Sequence, residues 1–106
     1  MKIVLINESC ILFNDGSQIT FDHEQDCCEE NYADFKQLDS LARNYDYKFP
    51  LRFVPVDDYG FLFGDDERLF FVPCYSKQSG YYTRELNIYF NGKCVIEINA
   101  EAMFYY

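Results

Sequence analysis

Short apolar runs broken by turn-forming pairs constrain this sequence more than any other feature. Ile3–Ile6 and Cys10–Phe13 are four-residue runs separated by Asn7-Glu8-Ser9, and each is the length of a strand. Asp15-Gly16 follows, a pair suited to a type I′ turn because both central residues of that turn need positive φ. A two-residue loop there pairs Leu12 with Ile19 and Cys10 with Phe21, and sets His23 opposite Glu8. Gln18–His23 then alternates, with Ile19, Phe21 and His23 on one face.

From Tyr45 onward the pattern is again that of strands: Leu51–Val56, Tyr59–Phe63, Arg68–Tyr75, Tyr81–Phe90 and Cys94–Asn99, with turns at Gly64-Asp65-Asp66 and Asn91-Gly92. Pro50, Pro55 and Pro73 each lack a ladder donor, which assigns their neighbourhoods to strand ends, edges or bulges. For the last hairpin a three-residue loop, Phe90-Asn91-Gly92, is preferred, because it pairs Leu86 with Ile96 and Ile88 with Cys94. The aromatic tail Met103-Phe104-Tyr105-Tyr106 is expected to pack on the sheet or against another chain.

Between the two strand-rich parts the spacing predicts a helix over about 27–43. Asp26 is its N-cap, Glu29 completes a capping box, and Cys28, Tyr32, Phe35, Leu38 and Ala42 form one apolar stripe. The fold class expected is therefore α+β: one domain over 1–106, with an antiparallel sheet of about six to seven strands and one principal helix near 27–43. A chain of 106 residues supports one core and not two. Eleven Phe and ten Tyr supply that core and exclude disorder.

The formal net charge of −9 argues against a direct grip on nucleic acid. No run approaches a membrane span, and Met1–Ile6 is too short for a secretory h-region, so a cytoplasmic protein is expected. Five cysteines, two of them adjacent, fit free thiols in a reducing compartment.

Three readings compete for Asp22–Glu30. His23, Asp26, Cys27 and Cys28 are legitimate ligands for a transition metal such as zinc, although adjacent cysteines cannot easily both face one ion and Cys74 or Cys94 would have to complete the shell. A calcium loop fails, because Cys27 stands where Gly is needed and Ala33 where Glu is needed. Cys27 or Cys28 at a helix start, with His23 as base, could form a reactive thiol, but the surrounding carboxylates oppose thiolate formation. In the third reading every residue folds the chain: Cys28 opens the stripe, His23 meets Glu8, and Asp26 and Glu29 cap. No cofactor is required by this third reading.

Twelve of the 18 acids fall in 22–39 and 57–67. Asp57, Asp58, Asp65, Asp66 and Glu67 have no base among them and form a candidate acidic patch for a partner with a basic surface. Tyr59–Phe63 and Ser79–Tyr82 place aromatics beside turns, which suits either a binding surface or the core. No phosphate-cradling glycine motif, nucleophile elbow or HExxH occurs, so an enzyme is not favoured.

His23-Glu24-Gln25-Asp26-Cys27-Cys28-Glu29 with Tyr32, and the later Ser79-Gly80-Tyr81-Tyr82-Thr83 before Leu86 and Ile88, resemble a small uncharacterised domain family of bacteriophage and bacterial genomes. The resemblance spans roughly residues 19–90 and leaves Asn44–Asp66 unmatched. It implies a phage or mobile-element setting and no catalytic activity. The function expected is a non-enzymatic modulator or inhibitor that binds a host protein, a defence nuclease among the candidates. The alternative is a metal-binding or thiol-dependent domain centred on His23, Cys27 and Cys28.

Overall fold

The structure is a computed structural model that describes residues 1–22, 30–78, 80 and 83–104, with Phe104 described through its backbone alone. Its strands are β1 (Ile3–Ile6), β2 (Cys10–Phe13), β3 (Gln18–Asp22), β4 (Glu30–Ala33), β5 (Arg52–Val56), β6 (Gly60–Gly64), β7 (Leu69–Gln78), β8 (Glu85–Phe90), β9 (Lys93–Asn99) and β10 (Glu101–Phe104). A 3-10 turn over Phe35–Gln37 and one short helix, α1 (Ser40–Asn44), are the helical elements described.

The α+β expectation is thereby overturned. The protein is mostly β, with 57% strand against 9% helix, and it builds two five-stranded sheets. The reason lies in residues 30–44. Asn31, Ala33 and Phe35 are buried at every second position, the period of a strand, and Asn31 hydrogen-bonds through Nδ2 to the Thr83 and Glu85 carbonyls, both at 3.0 Å. The apolar stripe survives only in its later part. Phe35, Leu38 and Ala42 are buried, but Leu38 and Asp39 are extended and divide the 3-10 turn from α1. Asp39 caps α1, accepting from Leu41 N–H at 2.9 Å, while the expected cap Asp26 lies outside the described residues.

The first sheet has the order β1-β2-β3-β8-β9. Its β2–β3 and β8–β9 hairpins depart from the expected register. β2 and β3 pair Ile11 with Ile19 and Leu12 with Gln18, and Phe13 N–H bonds the Ser17 carbonyl at 2.8 Å. The loop is thus Asn14-Asp15-Gly16, one residue longer than Asp15-Gly16, and the slip turns Ile11 and Phe13 inward in place of Cys10 and Leu12. At the other hairpin Asn91 (φ 52°) and Gly92 (φ 80°) form the two-residue loop. An irregularity between Ile88 and Tyr89 then shifts the ladder, so that Ile88 meets Ile96 and Leu86 meets Ile98. The bulge sits inside the ladder rather than at the turn and still brings apolar residues together.

The second sheet runs β10-β7-β6-β5, with β4 also on β7. β7 is long enough to serve three partners. Its first half pairs with β6, and its second half pairs antiparallel with β4 and parallel with β10. Pro73 lies where the partners change, and Pro55 lies on the edge strand β5, positions where a missing N–H breaks no central ladder. Gly60 marks a close approach of β6 to β7: a Cβ there would collide with the Val72 carbonyl oxygen.

The inner faces of both sheets share one core. Ile11, Phe13, Ile19, Leu86 and Ile88 come from the first sheet, and Phe61, Phe63, Phe70, Val72 and Cys74 from the second. Tyr47, 2% exposed, joins them: it stacks on Phe63 (5.6 Å between centroids), meets Phe13 edge-on (5.5 Å) and donates its hydroxyl to the Ala42 carbonyl at 2.9 Å. The C-terminal tail packs on the second sheet through β10, as far as it is described.

Candidate functional site: an acidic groove on the outer sheet face

The five acids Asp57, Asp58, Asp65, Asp66 and Glu67 do not form one patch. Asp57 and Asp58 lie in the turn before β6, and Asp65, Asp66 and Glu67 in the turn after it. Five strand residues hold the two groups about 15 Å apart. Asp58 is ion-paired with Arg84 at 2.9 Å, Glu67 with Lys48 at 3.0 Å and Asp66 with Arg52 at 3.7 Å.

Asp65 is a structural carboxylate, 3% exposed. It accepts hydrogen bonds from the Tyr45 hydroxyl (2.9 Å), Lys48 N–H (2.9 Å), Glu67 N–H (2.9 Å) and Arg68 N–H (3.0 Å). Burial alone would raise its pKa. The donors outweigh that effect, and the group is held down at about 2. Across the same bond the Tyr45 hydroxyl is pushed up to about 12, by burial first and then by the carboxylate.

Asp57 belongs instead to a groove of about 300 Å³ lined by Asp57, Glu85, Asn87, Glu97, Ile98 and Asn99. The strand ladder builds it. Glu85 pairs with Asn99 and Asn87 with Glu97 across β8 and β9, while Leu86, Ile88 and Ile98 between them are buried on the inner face. The period-two alternation of a half-buried sheet therefore stacks two carboxylates and two amides on the outside. The turn that carries Asp57 is pinned beside them by Arg84. Arg84 donates from Nη2 to Asp58 Oδ1 (2.9 Å) and from Nη1 to the Ala100 carbonyl (3.1 Å), while Asp58 N–H bonds the Asn99 carbonyl (3.1 Å). Asn99 Nδ2 donates to Asp57 Oδ1 at 3.4 Å. Among the described residues no cation pairs with Asp57, Glu85 or Glu97.

A smaller cleft of about 160 Å³ lies among Lys48, Phe49, Pro50, Asp65, Asp66 and Glu67. Phe49 is 62% exposed there, but Lys48 and Arg52 already neutralise its acids. The other dense polar cluster is buried and internally bonded. Ser76 donates to Asn31 Oδ1, and Gln78 Nε2 donates to Ser76 Oγ (2.6 Å) and to the Thr83 carbonyl (3.2 Å). It ties β4 and β7 to the segment entering β8, and nothing in the apolar pattern signalled it.

His23, Asp26, Cys27 and Cys28 lie outside the described residues, as does the expected meeting of His23 with Glu8. The sheet cysteines considered for a metal shell face opposite ways. Cys74 is buried on the inner face, its thiol pushed well up by that burial, and Cys94 is exposed on the outer face. Among the described residues no three His, Cys, Asp or Glu side chains gather as a metal site. No helix of the described residues is long and apolar enough to cross a membrane. No known family model, no curated protein and no solved structure matches the chain.

Proposed function

We propose that this chain is a non-enzymatic binding module that docks on the basic surface of a protein partner through the groove of Asp57, Glu85 and Glu97. The observation that carries this reading is that these three acids line one groove with no neutralising cation among the described residues, whereas Asp58, Asp66 and Glu67 are ion-paired and Asp65 is buried. Carboxylates held on a rigid sheet face present their charge without reordering on binding, and the net −9 adds a long-range field that attracts a cationic partner. The resemblance of the His23–Glu29 and Ser79–Thr83 segments to phage-borne domains favours a bacterial host protein as that partner, a nuclease with a basic nucleic-acid groove among the candidates.

The test compares baits in host lysate: wild type, Glu85→Lys/Glu97→Lys, and Asp66→Lys/Glu67→Lys. The first double variant is expected to lose the partner that wild type captures, and the second to retain it. Equal capture by all three, or no salt-sensitive partner at all, overturns the reading. Asp65 is unsuitable for charge reversal, because its loss would act through the fold.

A further inference from the structure

The turn between β8 and β9 is built as a site of self-modification. The geometry points to Asn91 as the residue at which this protein spontaneously converts an amide to an acid, through a succinimide formed with Gly92. Three observations support it. Asn91 is exposed, and Gly92 carries no side chain and has open space where one would stand, so no Cβ at position 92 crowds the Asn91 amide. The Gly92 amide nitrogen, the required nucleophile, has no hydrogen-bond partner among the described residues. The side-chain amide of Asn91 is polarised by its neighbours: Gln18 N–H donates to Asn91 Oδ1 at 2.9 Å, and Asn91 Nδ2 lies 3.5 Å from Ser17 Oγ.

The chemistry follows from those contacts. The Gly92 nitrogen attacks Asn91 Cγ and the new C–N bond closes a five-membered ring. Negative charge develops on Oδ1, where the Gln18 N–H already points, as a donor does in an oxyanion hole. The Cγ–Nδ2 bond breaks, and ammonia leaves with the proton given up by the Gly92 amide, a transfer the Ser17 hydroxyl is placed to relay. Water then opens the ring at either carbonyl, giving aspartate or isoaspartate.

The two products differ in consequence. Asn91 and Gln18 bond each other reciprocally, with Asn91 N–H to the Gln18 carbonyl at 3.0 Å in return. Aspartate keeps the acceptor and hence the tie between the hairpin and β3. Isoaspartate inserts a methylene into the backbone of a turn whose residues need φ of 52° and 80°, and this tie is lost.

The experiment incubates the folded protein in mildly alkaline buffer and follows each Asn by peptide mapping, with isoaspartate detected by enzymatic methyl transfer. A parallel sample is held unfolded in denaturant, with Asn91→Asp as the blank. Asn91 is expected to convert first and to do so in the folded protein at least as fast as in the unfolded one, with Ser17→Ala slowing the folded rate only. Conversion of another Asn first, conversion of Asn91 only after unfolding, or a Ser17→Ala rate equal to wild type overturns the inference.

Discussion

Replacing Asp65 by Asn tests the packing of the β6–β7 turn. The exchange is nearly isosteric, yet it puts an NH2 group where the Tyr45 hydroxyl and the Lys48, Glu67 and Arg68 N–H groups all donate. At least one donor must lose its acceptor, and a hydrogen bond to a charged group contributes about 1.5–3 kcal/mol. A loss of about 2–3 kcal/mol is expected, which in a domain of this size lowers Tm by on the order of 10 °C. The pH dependence sharpens the test. The folded pKa of about 2 lies below the ordinary carboxylate value of about 3.9. Asp65 therefore binds its proton more readily in the unfolded chain, and its contribution is fully present above about pH 5 and is lost as pH falls through 4 toward 2. Urea unfolding followed by circular dichroism at neutral and acid pH gives both quantities. Wild type should lose more stability than Asp65→Asn between pH 5 and 2. An Asn variant within about 0.5 kcal/mol of wild type at neutral pH, or with the same acid dependence, refutes the assignment.

Other substitutions probe the core and the sheet junctions. Tyr47→Ala should cost about 3–5 kcal/mol, since it empties the centre of the aromatic cluster. Tyr47→Phe should cost only about 1 kcal/mol for the lost bond to Ala42, and urea midpoints read the difference. Gly60→Ala should destabilise by about 2 kcal/mol or more, because β6 must move off the Val72 carbonyl, and amide exchange should rise along β6. In native protein Cys94 should be alkylated readily and Cys74 only on unfolding; rapid native labelling of Cys74 would contradict its place on the inner face.

The strands from Arg52 to Asn99 were legible because each is a short run rich in apolar residues, with Gly, Asp or Asn at most of the turns between them. Register was not. Cys10-Ile11-Leu12-Phe13 is apolar at all four positions, so alternation could not say which pair faces the core, and one extra loop residue decided it. The place of the Asn91-Gly92 turn was legible but not its type: a three-residue loop was preferred over the observed two-residue one, since apolar pairing can be restored by a bulge at more than one point along the ladder. The helix over 27–43 failed because Phe35, Leu38 and Ala42 satisfy a helical period while Asn31, Ala33 and Phe35 satisfy that of a strand. The choice between them rests on the bonds of Asn31 to Thr83 and Glu85, more than fifty residues away. The acidic site was half legible: Asp57 was named, but Glu85 and Glu97 become its neighbours only through the β8–β9 ladder and the Arg84 clamp.

The groove itself can be interrogated directly by titrating the isotopically labelled protein with its captured partner, or with a polyarginine peptide as probe, and mapping amide shifts by NMR. The account predicts salt-sensitive shifts concentrated at Asp57, Glu85, Asn87, Glu97 and Asn99, abolished in Glu85→Lys/Glu97→Lys. Shifts centred on Asp66 and Glu67 instead, or none at low salt, would contradict it.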